Sequence, residues 1–203
     1  TSNSSPIHPR ETANDATVII ESSTAGAWTT YKSPNYYAGD LYIINGTEQY
    51  AVGLLQGDDR WTIRKGRSGA EMFTVLPGGN VGIGTTAPKA KLQVEQYGID
   101  TTTTSSTAVT QIAIHTFPIA DFRSAKYTIQ VTNSTDSTYH ITEMLMIHNG
   151  TTPSITEYGT VYTGSAAEAT FTADISGTNL RLLATPATTD GMTFKVVCHS
   201  ITV

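Results

Sequence analysis

The chain has 203 residues, 38% of them hydrophobic and 14% charged, with 12 Lys and Arg against 17 Asp and Glu for a formal charge of −5. That length allows one large domain or two modest ones. The acidic balance excludes a reader of the phosphate backbone, since no basic cluster exceeds Arg64, Lys65 and Arg67. The charged fraction lies well below the roughly 25% of ordinary soluble proteins. Threonine occurs 36 times, and its branched Cβ trades helix propensity for strand propensity. Composition therefore points to an all-β chain.

Residues 1–25 show no periodic apolar pattern before Thr17-Val-Ile-Ile-Glu21 and read as an extended arm. The first ten residues lack the charged-then-apolar order of a secretory signal, and no apolar run approaches the roughly 18–20 residues that span a bilayer. No membrane insertion is expected. The opening at Thr1 rather than Met reads as processing or as a boundary within a longer chain.

Residues 26–95 alternate short β-rich runs with turn signals. Leu41-Tyr-Ile-Ile44 leads to Asn45-Gly46, then Tyr50-Ala-Val-Gly-Leu-Leu55 leads to Gly57-Asp58-Asp59, Trp61-Thr-Ile-Arg64 follows, and Pro77-Gly-Gly-Asn80 makes another turn. This is a β-meander. Its strands are short and carry 11 glycines between 26 and 95, so one copy exposes much of its apolar face, and small isolated sheets are marginal in water. Association of identical chains about an axis covers faces and edges together. The expectation is an intertwined trimeric stalk.

Residues 96–107 hold Thr101-Thr-Thr-Thr-Ser-Ser-Thr107, a polar stretch read as a neck. Residues 108–203 then present seven strand-like runs, at 108–117, 125–132, 139–148, 155–163, 170–175, 179–185 and 192–203, the pattern of an antiparallel, jelly-roll-like β-sandwich. In the second run Tyr127, Ile129 and Val131 share the inner phase. In the third, Ile141, Glu143, Leu145 and Ile147 share one phase and His140, Thr142, Met144, Met146 and His148 the other, so both faces are partly apolar. Such a strand sits centrally or beneath a neighbouring subunit. Cys198, alone in the chain, reads as a small hydrophobe in the last strand.

Gly79-Asn-Val-Gly-Ile-Gly-Thr-Thr-Ala-Pro-Lys-Ala-Lys-Leu-Gln-Val94 resembles an element of bacteriophage tail fibres and related virion proteins. Leu76-Pro-Gly-Gly79 before it fits the same pattern, as does Gly57-Asp-Asp-Arg-Trp-Thr-Ile63 upstream. Arg123-Ser-Ala-Lys-Tyr-Thr-Ile-Gln-Val-Thr132 and Ile155-Thr-Glu-Tyr-Gly-Thr-Val161 resemble a domain of structural proteins from cyanophages and other marine phages. The resemblance implies a trimeric virion structural protein, assembled in the host cytoplasm, with other virion proteins as partners. A tail fibre or fibre-like appendage that engages the host surface is the leading expectation. A capsid decoration protein and a glycan-degrading tailspike are the alternatives. Long fibres often end in a self-cleaving chaperone domain, and this chain ends at Val203 in a strand.

Within the glycine element, Val81 and Ile83 point one way with Gly82 and Gly84 beside them, so three chains can approach closely; Val81, Gly82, Ile83, Gly84 and Leu92 are the expected trimer contacts. The element is no phosphate cradle, because Pro88 and a strand-like Leu92-Gln-Val94 follow it where a helix would be needed. His140 and His148 stand about 26 Å apart at about 3.3 Å per residue and cannot share a metal. The bland reading of the histidines is surface or loop-end positions.

Glu143 and Glu157 lie on strands that a hairpin through Asn149-Gly150 brings together, where two carboxylates could hydrolyse a glycan or serve structure, the latter being favoured. Tyr139, Tyr158 and Tyr162 could stack on sugar rings of a host surface glycan or pack in an interface. No nucleophile or metallohydrolase motif occurs. The chain is therefore expected not to be an enzyme and to need no cofactor or metal.

Overall fold

Short β-branched runs separated by turns produce strands throughout a computed structural model that describes residues 38–44, 46–55 and 59–203. The 1–25 arm, Asn45 of the first turn and Gly57 and Asp58 of the second lie outside the described residues. The strands are β1 (Ala38–Ile44), β2 (Thr47–Leu54), β3 (Trp61–Arg64), β4 (Glu71–Val75), β5 (Val81–Ile83), β6 (Leu92–Val94) and β7 (Tyr97–Ser106). They continue as β8 (Ile112–Pro118), β9 (Phe122–Asn133), β10 (Thr138–His148), β11 (Pro153–Tyr162), β12 (Ala169–Ser176), β13 (Asn179–Pro186) and β14 (Met192–Thr202). No helix occurs among the described residues, so the all-β expectation holds.

The strands form an 11-stranded sheet in the order β1-β2-β3-β4-β5-β6-β7-β14-β9-β10-β11 and a 3-stranded sheet in the order β12-β13-β8. Every neighbour pair is antiparallel except β5 with β6, which run parallel and are joined by residues 84–91. The meander and the large sheet of the sandwich are thus one continuous sheet. Its joint is the segment expected as a neck. Residues 97–106 form β7, paired in unbroken register with β14 from Met192↔Ser106 to Ile201↔Tyr97. Consecutive threonines suit this place because each alternate side chain meets solvent while the branched Cβ holds the chain extended.

The core lies between β14, β9 and β10 of the large sheet and the small sheet. Tyr127, Ile129, Val131, Met144, Met192, Phe194, Leu180, Leu182 and Ala184 are wholly enclosed there. The inner phase of β9 is the expected one. In β10 the buried phase is His140, Thr142, Met144, Met146 and His148, while Ile141, Leu145 and Ile147 face outward. Three histidines are buried rather than at the surface or loop ends. His115 pairs with the Tyr127 hydroxyl, and His148 Nε2 donates to Phe122 O at 2.7 Å while its Nδ1 accepts from the Gly150 amide at 3.0 Å. His140 lies between the rings of Tyr162 and Phe171, with neither ring nitrogen hydrogen-bonded.

Candidate functional site

Cross-strand partners in a sheet point to the same face, so the register assigns faces across all eleven strands. One row runs Leu54, Trp61, Val75, Val81, Leu92, Ile99, His199, Lys126, Leu145 as successive direct partners. The parallel row, two residues away on each strand, runs Val52, Ile63, Phe73, Ile83, Val94, Tyr97, Ile201, Ser124, Ile147. Both belong to one face, which nothing among the described residues covers: Leu54, Trp61, Ile83, Val94, Tyr97, Leu145, Ile147 and Ile201 are all exposed. The row between them, on the opposite face, runs Thr62, Thr74, Gly82, Gln93, Gly98, Ser200, Ala125, Met146 and is buried throughout.

In the meander this reverses the usual arrangement of an antiparallel sheet, whose apolar side chains face the core and polar ones water. The polar side is covered by residues 84–91 of the same chain. Gln93 Oε1 accepts the Lys89 amide at 2.8 Å, Asn80 donates to Pro88 O at 3.1 Å and Arg60 to Thr86 O at 3.0 Å. Arg60 also meets Glu71 at 3.4 Å, and Thr74 donates to the same carboxylate at 3.1 Å. A polar interior sealed by hydrogen bonds leaves the apolar side outward.

Of the expected trimer contacts, Val81, Ile83 and Leu92 lie on the open face. Gly82 faces the other way, and its space is used within the chain: a Cβ there would stand 2.5 Å from Thr85 O and 3.3 Å from Pro88 Cδ. Gly84 has φ +71° and its Cβ would meet Glu95 Cγ at 3.0 Å. Both glycines are therefore accounted for by the turn into the 84–91 crossover.

On the sandwich half the open face hollows into a groove of about 620 Å³ lined by Tyr97, Lys126, Leu145, Ile147, His199 and Ile201 among others. The Tyr97 hydroxyl is hydrogen-bonded to His199 Nδ1 at its edge. Lys126 Nζ lies 3.1 Å from Glu143 Oε2. The Lys126 ammonium holds the Glu143 carboxyl below its usual range, and the carboxylate raises Lys126 in turn.

Glu143 pairs in register with Tyr158 on this face, whereas Glu157 pairs with Met144 on the other and accepts from Thr142 Oγ1 at 2.8 Å and Thr160 Oγ1 at 3.1 Å. The two carboxylates stand on opposite sides of the sheet and form no catalytic pair. The tyrosines divide similarly. Tyr139 and Tyr158 share the open face, while Tyr162 packs edge-on against His140 behind it. Among the described residues no group of three or more His, Cys, Asp or Glu is placed to hold a metal, and no helix is long and apolar enough to cross a membrane.

The sequence matches no protein-family model and no curated protein. Among solved structures the chain is similar to the tailspike protein of Acinetobacter baumannii phage AM24, at 8% identity and TM-score 0.36 over 53% of this chain and 26% of that one. It is also similar to a tailspike protein of Acinetobacter baumannii bacteriophage Fri1, described as a capsular polysaccharide depolymerase, at 15% identity and TM-score 0.32 over 52% and 17% of the two chains. A third is the tailspike protein of Acinetobacter phage vB_ApiP_P1, at 19% identity and TM-score 0.34 over 55% and 22%. The chain thus spans about a quarter or less of each. The expectation that this chain is not an enzyme is corrected by this comparison, because one of the neighbours is a depolymerase; a likeness of this size assigns no catalytic residue here.

Proposed function

We propose that the chain is a structural module of a phage tail appendage that works as a homotrimer, with the meander as its stalk and the sandwich offered to the host surface or to a neighbouring virion protein. One observation carries the self-assembly: the meander turns Trp61, Ile63, Phe73, Val75, Val81, Ile83, Leu92 and Val94 outward and hydrogen-bonds its polar side chains inward. Burying apolar surface is worth about 25 cal/mol per Å², so a sheet built this way is stabilised by copies that cover one another. The viral setting rests on the resemblance of residues 79–94 to the tail-fibre element.

The test is sedimentation of the purified chain together with its copy number in purified virions. A trimer in solution and copies per particle in a small multiple of three are the expected results. A folded monomer at micromolar concentration overturns the assembly, and hundreds of copies per particle overturn the tail assignment in favour of the shell.

A further inference from the structure

The two apolar rows do not stop where the meander ends. Val94 pairs with Tyr97, Tyr97 with Ile201, and Ile201 through Ser124 with Ile147, without a register break along that row. Leu145 stands beside Ile147 on the same face. Further along β9 and β14 the face turns polar at Gln130, Thr132 and Lys195, while on β10 and β11 exposed Ile141 and Val161 carry apolar surface along the same row.

We infer that the sandwich half of this face, centred on the groove between Tyr97, Leu145, Ile147 and Ile201, is buried against a second copy of this chain, so that the subunit contact runs from the stalk into the sandwich. This rests on the self-assembly proposed above and goes beyond it, since a trimer held by its stalk alone would leave the groove open.

Area supports a second copy. Tyr97, Leu145, Ile147 and Ile201 are each about half exposed. At roughly 80–100 Å² apiece these four offer about 350 Å², and with the comparably exposed Leu54, Trp61, Ile83 and Val94 of the meander the continuous face offers about 700 Å², so it nears the roughly 800 Å² per partner of a standard interface only when both halves are covered. Charge supports it too. Lys126 and Glu143 neutralise each other at 3.1 Å, so covering the groove strands neither as a lone buried charge. Every copy carries the same open face, and copies packed through it cover each other's surface. The outer side of the small sheet is polar by contrast, with Arg181 bound to Asp174 and Gln111 to Thr172, and is suited to water.

The experiment places one cysteine on each side of the sandwich in the full chain, Leu145→Cys on the groove and Thr170→Cys on the exposed side of β12, and measures thiol labelling alongside sedimentation. Native Cys198 is buried and adds little signal. In a chain that sediments as an oligomer, Leu145→Cys is expected to label at least tenfold more slowly than Thr170→Cys, and denaturant should equalise the two. An oligomer in which both label at similar rates overturns the inference and leaves the stalk-based assembly standing. A folded monomer overturns both. As a second variant, Leu145→Asp with Ile147→Asp should raise the dissociation concentration at least tenfold with an unchanged circular dichroism spectrum; an unchanged dissociation concentration counts against the inference.

Discussion

The Tyr127 hydroxyl lies 3.2 Å from His115 Nδ1, joining the two sheets of the sandwich through side chains that are both buried. Tyr127 stands on β9 and His115 on β8, and their rings meet edge-on at 5.5 Å. Tyr127→Phe keeps the ring and strands the imidazole nitrogen, a loss of about 1–3 kcal/mol. Tyr127→Ala also opens a cavity and should cost about 3–5 kcal/mol. Urea unfolding of the two variants checks the order, and equal losses would place the contribution in the hydrogen bond alone.

Burial pushes the His115 imidazole below its usual value, against the opposing pull of Asp100, and burial does the same at His140 against Glu157 and Glu168. A group whose folded pKa is depressed binds its proton more readily in the unfolded chain. Stability is thus full above the unfolded value near pH 6.5 and declines as pH falls below it. Unfolding midpoints should drop from pH 7.5 to pH 5. His140→Phe sacrifices no hydrogen bond, keeps the contacts with Tyr162 and Phe171, and should flatten the decline; a slope as steep as the parent's would remove His140 as a cause.

Gly82→Ala forces a methyl to within 2.5 Å of the Thr85 carbonyl, a backbone atom that cannot swing aside. A loss of about 1–3 kcal/mol is expected, with displacement of the 84–91 crossover. Gly79→Ala, where φ is +89° but no atom lies within 4 Å, pays only the left-handed backbone, about 1–2 kcal/mol. Thermal unfolding compares them. If the Gly79 variant suffers more, the close approach at Gly82 is not what the element protects.

The Cys198 thiol is pushed up to about 12, chiefly by burial and against the effect of its hydrogen bond with Tyr127. The thiolate is the reactive form, so the folded chain should resist alkylation at pH 8 and react within minutes once unfolded in guanidinium. Rapid labelling of the native chain would mean that β14 opens at its centre.

Much of the fold is legible before any coordinates. The seven runs after residue 108 become β8 to β14, because alternation of period two and Gly or Asn turns are local properties. The phase of β9 is equally plain, since Lys126, Thr128 and Gln130 leave only one side fit for a core. For β10 the phases are readable but their destination is not. Both phases carry apolar side chains, Ile141, Leu145 and Ile147 on one and Met144 and Met146 on the other, and it is the latter that, with His140 and Thr142, fill the space against the small sheet. Flexible methionines suit an irregular gap between sheets.

The candidate site shows the same division. Val81, Ile83 and Leu92 could be named from the glycine element, and they do share the open face. Tyr97, Ile201 and Ile147 could not, because nothing local says that strands so far apart in sequence are aligned row by row. The hairpin does bring the strands of Glu143 and Glu157 together, but the catalytic alternative is excluded because neighbouring strands pair residues only on a shared face and one step of register separates the two.

Residue chemistry along the chain determined that it is all strand, where most strands lie and that its apolar content exceeds what short ribbons can hide. Only the tertiary structure decided that β7 fuses meander and sandwich into one sheet, that residues 84–91 seal the polar side, and that the apolar rows face outward together. Those outcomes depend on pairing between β7 and β14, whose partners are about a hundred residues apart. Pairing at that distance is settled by the packing of the whole core, which no short window of sequence contains.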